Sequence, residues 1–132
     1  MEIESLVRVG KVSAVIPERC ACRVVFNDHD NMVSAELPVL QSSCLNNKWF
    51  NLPDVNDSVV CLMALNDPNG GGFVLGSFYH EKDLPPAQVQ NISMIQFGDG
   101  SFISFDREKG DALINCKGNV KINGKEIHLN DD

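Results

Sequence analysis

Residues that favour turns interrupt this chain roughly every 8–12 residues, and this spacing restricts its fold more than any other feature of the sequence. Gly, Pro, Asn and Asp separate short apolar bursts, whose side chains alternate or run together instead of recurring with the period of a helix. Helix signals are nearly absent. The sequence therefore predicts an all-β protein.

The first 80 residues contain five predicted strands: 6–16, 20–26, 32–40 (broken by Pro38), 58–65 and 73–79. Five strands with long loops between them fit a small closed barrel, and the five-stranded OB-fold is the best-known barrel of that size. A fragment of a sandwich is the alternative, but it would leave strand edges exposed. Gly10, in the middle of the first strand, predicts a bulge or a close approach of two backbones.

A charged stretch followed by Pro85-Pro86 predicts a boundary, because two prolines cannot donate to a strand ladder and stiffen the chain. The predicted domains are an OB-fold barrel over 1–80, a linker over 81–92 and a second region over 93–132. In this second region tight turns separate five short strands at 93–97, 101–106, 111–116, 120–122 and 126–129. Asn123-Gly124 predicts a type I′ hairpin turn between the last two.

The second region must bury apolar side chains although it is only about 40 residues long, a size at which a lone sheet is rarely stable. It can pack on the barrel, or several copies can pack on one another. The proline spacer favours the second solution, with three copies around an axis. The predicted trimer core consists of Ile103, Phe105, Val120, Ile122, Ile127 and Leu129.

The charge of the chain argues against a nucleic-acid partner. Eleven basic residues against 18 acidic ones give a net charge of −7, whereas nucleic-acid-binding modules concentrate positive charge. No apolar run approaches the roughly 20 residues of a membrane-spanning helix. The acidic first residues do not resemble a secretory signal, so we expect synthesis in the cytoplasm.

No group of residues predicts catalysis, a metal site or a cofactor. The acidic turn around His29 lacks the Gly and Glu of a calcium loop, and the glycines at 70–72 lack the Lys-Ser/Thr of a phosphate loop. Asp54 and Asp57 are interpreted as turn formers. The five cysteines are irregularly spaced and are expected to be reduced, buried side chains. We therefore predict that the chain is not an enzyme.

Four segments, in this order, resemble a known family. They are the first strand VRVGKV (7–12), Trp49 followed by PxVxDxV (53–59), the hairpin return GFVLGSFY (72–79), and FGDGSFISFD (97–106). Together they resemble the central spike proteins of contractile phage tails, the baseplate assembly protein V group, which are related to the spikes of R-type bacteriocins and of type VI secretion. In this chain Asn56-Asp57 stands where the family has Gly-Glu.

The resemblance implies an N-terminal OB-fold in the tail hub and a C-terminal trimeric β-helix or β-prism spike that pierces the target envelope. The implied partners are two sister chains, a hub protein and, transiently, the target membrane. The chain would be made in the bacterial cytoplasm and assembled into a phage tail, a bacteriocin or a secretion device. A short shaft, roughly 24 Å for five stacked strands, suggests a blunt end capped by a separate PAAR-type tip protein.

Three points are left open by the sequence. Several family members end in His-x-His and hold iron at the tip, but this chain has only His128 near its end, so no metal is predicted. Trp49 and Phe50 are interpreted either as a plug of the barrel or as a contact with the hub or a neighbouring subunit. The alternative function is an OB-fold module that binds single-stranded nucleic acid or oligosaccharide through Arg23 and Phe26.

Overall fold

The computed structural model describes residues 6–27, 31–64 and 71–130. The predicted all-β class is confirmed: 43% of the described residues are in strands, and no helix of seven or more residues occurs among them. The chain divides into two compact units, residues 1–82 and 83–132. The division falls within the predicted linker 81–92, whose last residue is the first of a strand.

Six strands form the first unit: β1 (Val7–Ile16), β2 (Ala21–Phe26), β3 (Met32–Val33), β4 (Leu37–Pro38), β5 (Ser58–Met63) and β6 (Gly72–Ser77). Their order in the sheet is β3-β2-β1-β5-β6, with β4 also paired to β2. A parallel bridge joins Val39, directly after β4, to Val74 on β6. The N–H of Leu40 donates to the carbonyl of Val74 across this junction at 3.1 Å. β6 is thus connected back to β2 through this bridge and β4, which gives a ring of pairings.

β1 pairs with both β2 and β5, and a bulge interrupts its pairing with β2. The register shifts between Val12 and Ala14, which is a bulge, and after it Val15 packs on the same core as Val12. Gly10 allows β2 to approach closely, since a Cβ at this position would lie only 2.5 Å from the carbonyl oxygen of Val25. The predicted close approach is confirmed at Gly10, and the bulge lies three residues later at Ser13.

The core of the first unit is built from small side chains around Phe26. Its members are Val12, Cys22, Val24, Phe26, Leu37, Val59, Cys61, Met63 and Val74. Inward and outward positions alternate along β2 and β5, as expected for strands with one buried face. The prediction that all five cysteines are buried is wrong, because Cys44 and Cys116 are exposed and Cys20 is only partly buried.

The predicted single strand over 32–40 is also wrong, because β3 and β4 are two short strands separated by residues 34–36. The hydroxyl of Ser34, which is buried, accepts the N–H of Val24 and donates to the carbonyl of Ala35. The side chain thereby takes the place of a backbone acceptor, and the ladder is interrupted. Glu36 lies in this break and forms a bidentate ion pair with Arg19.

The second unit contains an antiparallel meander of β7 (Ile92–Gln96), β8 (Phe102–Asp106) and β9 (Asp111–Asn115). Asp99 and Asp106 fix its two turns. The Ser101 N–H donates to Asp99, and the Asn91 amide together with two backbone N–H groups donates to Asp106. These bonds hold the pKa of both carboxyl groups below its usual range.

The predicted strands at 120–122 and 126–129 are not formed within the chain. Described residues beyond β9 belong to no strand, and neither Asn123 nor Gly124 has the positive φ that a type I′ turn requires. A strand needs a hydrogen-bonded neighbour, and this segment has none in its own chain. The two strand predictions and the turn prediction are therefore wrong for the single chain.

The two buried thiols lead to a labelling prediction. Burial, with a smaller contribution from the neighbouring Cys22, raises the pKa of Cys61 from the ordinary 9.0 to about 12, and burial also raises the pKa of Cys22. Since the thiolate is the reactive form, we expect both to resist alkylation at about pH 8 while Cys44 and Cys116 are labelled. Mass mapping after labelling, with urea-unfolded protein as control, checks this result. Labelling of Cys61 in the folded protein at the rate of Cys116 would contradict it.

The same pKa shift makes the folded state sensitive to alkaline pH. A thiol held neutral in the folded state stabilises it fully below pH 9, the pKa of an ordinary cysteine here, and this contribution is lost as the pH rises towards 12. The free energy of unfolding should therefore fall over that interval, and less so in a Cys61→Val protein.

Candidate interaction surfaces

A row of three isoleucines crosses the sheet of the second unit. Ile103, on the central strand, is paired with Ile95 on one side and Ile114 on the other. Beside this row, Phe105 lies between Ser93 and Ala112. Because alternate residues of a strand share a face, these side chains form one uncharged face, here called the isoleucine face.

The isoleucine face is open to solvent in the single chain. Its three isoleucines and Phe105 are 45–62% exposed, and no described residue of the second unit, 83–130, is buried. Two of the predicted trimer-core residues, Ile103 and Phe105, are thus brought together on one face. Sequence reasoning missed Ile95 and Ile114. Ile95 could have been found from the predicted turn centred on Asp99, because this turn places Ile95 opposite Ile103.

The other four predicted core residues lie in the segment that follows β9. Val120, Ile122, Ile127 and Leu129 are 53–84% exposed and belong to no strand. Near its start the Lys117 N–H donates to the Ser101 hydroxyl, and near its end His128 contacts Glu126. This segment is here called the C-terminal segment. It carries apolar side chains, and its backbone forms no strand ladder with the described residues of its own chain.

The contact between His128 and Glu126 bears on the prediction that this chain, unlike several members of the family it resembles, holds no iron. The ring Nε2 of His128 lies 3.2 Å from a carboxylate oxygen of Glu126, two residues earlier on the same face. A His-x-His ending supplies six imidazoles from three chains, whereas one histidine near the end of each chain supplies three. These residues therefore do not fit the iron site. In the described part of the chain, no three His, Cys, Asp or Glu side chains group as metal ligands.

The loop between β4 and β5 presents a second apolar surface, on the first unit. Leu45, Trp49 and Phe50 are 84%, 63% and 67% exposed. The interpretation of Trp49 and Phe50 as a plug of the barrel is therefore wrong. These three residues are here called the aromatic loop surface.

The loop is held in shape by polar bonds although its apolar side chains point to water. The Gln41 side chain donates to the Asn51 carbonyl at 2.8 Å and accepts the Asn51 N–H at 2.9 Å. The Trp49 N–H donates to the Ser43 carbonyl inside this closed segment. A compact loop whose ends are joined in this way is an Ω-loop, and its fixed shape lowers the entropy lost when a partner binds.

The end of the same loop confirms the interpretation of the two aspartates as turn formers. The Asp54 N–H donates to the Asp57 carboxylate at 2.7 Å, and the Asp57 N–H donates to the Asp54 carbonyl at 3.0 Å. The backbone of residues 56 and 57 then bonds to Val12 on β1. The Asp57 carboxylate therefore serves the local structure, and Asp54 takes part through its backbone.

The residues that the alternative function would use are engaged within the fold. Phe26 is buried, with the guanidinium of Arg8 over its ring at 5.4 Å, and Arg23 donates to the Ser34 carbonyl. The turn around His29 and the loop preceding Gly71 lie outside the described residues.

The described residues contain no helix long and apolar enough to cross a membrane. Two exposed apolar surfaces of the described residues are candidates for recognition: the isoleucine face, in the same unit as the C-terminal segment, and the aromatic loop surface. A comparison with protein-family models and with curated proteins finds no match to this chain.

Proposed function

We propose that this chain is the central spike of a contractile injection apparatus, such as a phage tail or a bacteriocin. The spike is a homotrimer: the first unit docks on the tail hub, and the second forms a stiff β-helical or β-prism shaft that pierces the target envelope. One observation carries the proposal, namely that the second unit has an uncharged apolar face but no buried residue.

The apolar face requires a cover, since soluble monomers seldom expose contiguous patches of large apolar side chains. Three copies related by a threefold axis turn their isoleucine faces inwards and bury them together. The driving force is the removal of apolar surface from water, at about 25 cal/mol per Å².

The unpaired backbone points to the same assembly. β9 is bonded to β8 on one side only, and the C-terminal segment has no ladder partner in its own chain. An extended segment from a sister chain would add a strand to the open edge of β9. The backbone N–H and C=O groups of both would then be hydrogen-bonded. Val120, Ile122, Ile127 and Leu129 would become buried in this process, as their alternation predicts.

The ring of pairings in the first unit supports an OB-fold. If β3 and β4 are taken as one interrupted strand, there are five strands. The third then meets the fifth in parallel at Val39 and Val74, and the fourth pairs with the first. A closed five-stranded barrel of this kind is the arrangement of the OB-fold. It agrees with the four segments that resemble the spike family.

The work of such a protein is mechanical and requires no catalytic group. A trimer whose backbone groups are all paired between chains resists bending and unfolds slowly, because its chains must separate together. A separate tip protein would cover the blunt end of the shaft, and contact with the target membrane would be transient.

The mass of the purified protein in solution tests the proposal. We expect a trimer with about three times the 14.5 kDa mass of the chain, resistant to SDS at room temperature. Deletion of residues 93–132 should yield a monomer with an intact first unit. A full-length protein that light scattering finds to be monomeric at all accessible concentrations would rule the spike out.

The aromatic loop surface is proposed as the contact with the hub. Large aromatic side chains on a shaped loop are typical anchors of interfaces, and truncation of one costs about 2 kcal/mol or more. Phe50→Ala should therefore weaken hub binding by roughly thirtyfold or more. Asn46→Ala, in the same exposed loop, is the matched control and should bind normally.

Trp49 reports on this contact because it is the sole tryptophan of the chain. Its emission should be typical of a water-exposed indole in the free protein and should shift to shorter wavelength when the hub is added. An unchanged emission in a complex that has demonstrably formed would move the hub contact to another surface.

A further inference from the structure

Asn123-Gly124 lies in the middle of the C-terminal segment and serves no turn there. Both residues are exposed, and both have negative φ. Neither the Asn123 side chain nor the Gly124 N–H makes a hydrogen bond within the described residues. The dipeptide that the sequence assigns to a hairpin is therefore a free, unpaired stretch of the single chain.

This combination exposes the side-chain amide of Asn123 to attack by the next backbone nitrogen. The attack needs rotation about the Asn123 backbone, which a strand ladder would oppose and which nothing here restrains. Glycine at the next position removes the side chain that would otherwise shield the nitrogen. A Cβ at Gly124 would lie 3.3 Å from the Glu126 carbonyl oxygen, so even this small group would crowd the site.

We propose that Asn123 is a site of spontaneous deamidation in the unassembled chain, and that assembly of the trimer closes it. The Gly124 nitrogen loses its proton and bonds to the Asn123 side-chain carbonyl carbon. The side-chain nitrogen leaves as ammonia, and a five-membered succinimide remains. Water then adds to one of the two succinimide carbonyls and opens the ring to aspartate or isoaspartate. No oxidant or enzyme takes part.

The chain contains its own comparison sites. Asn119 lies in the same exposed segment but precedes Val120, whose branched side chain shields the following nitrogen. Asn91 is restrained on both sides, because its amide donates to Asp106 and the N–H of Ile92 donates to the Val89 carbonyl. The expected order of conversion is Asn123 first, then Asn119, then Asn91.

The consequence for assembly rests on the proposed function. In the trimer the Gly124 N–H would be held in an inter-chain ladder, so the attack would stop. Before assembly each conversion adds a negative charge three residues from Glu126, and isoaspartate also lengthens the backbone by one carbon. Either change opposes strand pairing between three chains, so a chain that waits too long would lose its capacity to assemble.

Peptide mapping by mass spectrometry tests this proposal on three full-length proteins incubated at mildly alkaline pH. They are the wild type, Ile103→Asp as an assembly-impaired chain, and Ile103→Asp combined with Gly124→Ala. In the Ile103→Asp chain, Asn123 should convert more than about tenfold faster than Asn119, which corresponds to ~1.4 kcal/mol in barrier height. The wild-type trimer and the Gly124→Ala chain should each be slower at Asn123 by a similar factor.

The outcomes separate this inference from the function on which it rests. Equal rates at Asn123 and Asn119 in the Ile103→Asp chain would overturn the deamidation site. Rapid conversion in a wild-type protein of confirmed trimeric mass would overturn the protection by assembly and leave the spike intact. A monomeric wild type would remove the spike, and the ratio of the two asparagines would still decide the deamidation site.

Discussion

The Ile103→Asp protein is expected to be a monomer at concentrations at which we expect the wild type to be a trimer. Ile103 is the centre of the isoleucine face, with Ile95 and Ile114 on either side. Around a threefold axis the substitution places three carboxylates in the apolar interior, and the desolvation of each costs several kcal/mol. Even 4 kcal/mol raises the dissociation constant by about a thousandfold. Light scattering and analytical ultracentrifugation measure the effect.

Gln96→Asp is the matched control for this substitution. Gln96 is also exposed, but it lies on the opposite face of the sheet from Ile95 and Ile103. The substitution introduces the same carboxylate on the other face, so the molecular mass of the assembly should stay unchanged. Circular dichroism should show that the first unit of both proteins is folded. A trimeric Ile103→Asp protein would mean that the isoleucine face is not the core of the assembly.

Gly10→Ala is expected to destabilise the first unit by about 3 kcal/mol, near the upper end of the range for overpacking. The added methyl group would meet the Val25 carbonyl oxygen at 2.5 Å and a methyl of Val24 at 2.6 Å. Both neighbours belong to β2, which must move away from β1 to relieve the contacts. In urea unfolding of the full-length protein, the midpoint of the first unit should fall.

Gly76→Ala provides the control in the same ring of strands. A Cβ at Gly76, on β6, would meet nothing within 4 Å. Because glycine within a strand is less favourable than alanine, this change should be neutral or should stabilise by about 0.5–1 kcal/mol. If the two substitutions had equal effects, the close approach of β1 and β2 at Gly10 would not limit the fold.

Four strands of the first unit, whose apolar side chains alternate or run together between turn residues, were predictable from the sequence to within two residues at each end. β1, β2, β5 and β6 have one face in a core, so a slip of one residue would expose the whole buried set. The same alternation identified Ile103 and Phe105 as neighbours on one face. These patterns are local, and local patterns are what a single sequence displays.

The features that were missed depend on partners distant in the sequence. Ser34 interrupts its strand because its hydroxyl finds the N–H of Val24, ten residues away. The loop that holds Trp49 outward is closed by the Gln41 and Asn51 pair, also ten residues apart. The hydrophobic periodicity of the sequence does not indicate either contact. The alternation at Val120 and Ile122 is real, but a strand there requires a ladder that one chain does not provide.

The single parallel bridge between Val39 and Val74 gives the first unit a seam. Every other junction of the ring has at least two paired residues, whereas this one rests on the bridge and on the bond from Leu40 to Val74. The ring is therefore expected to part here first, at a cost far below that of global unfolding. The aromatic loop begins immediately after Leu40, so a force applied to Trp49 would first act on this junction. It would reach the buried valines of the core only after the junction had opened.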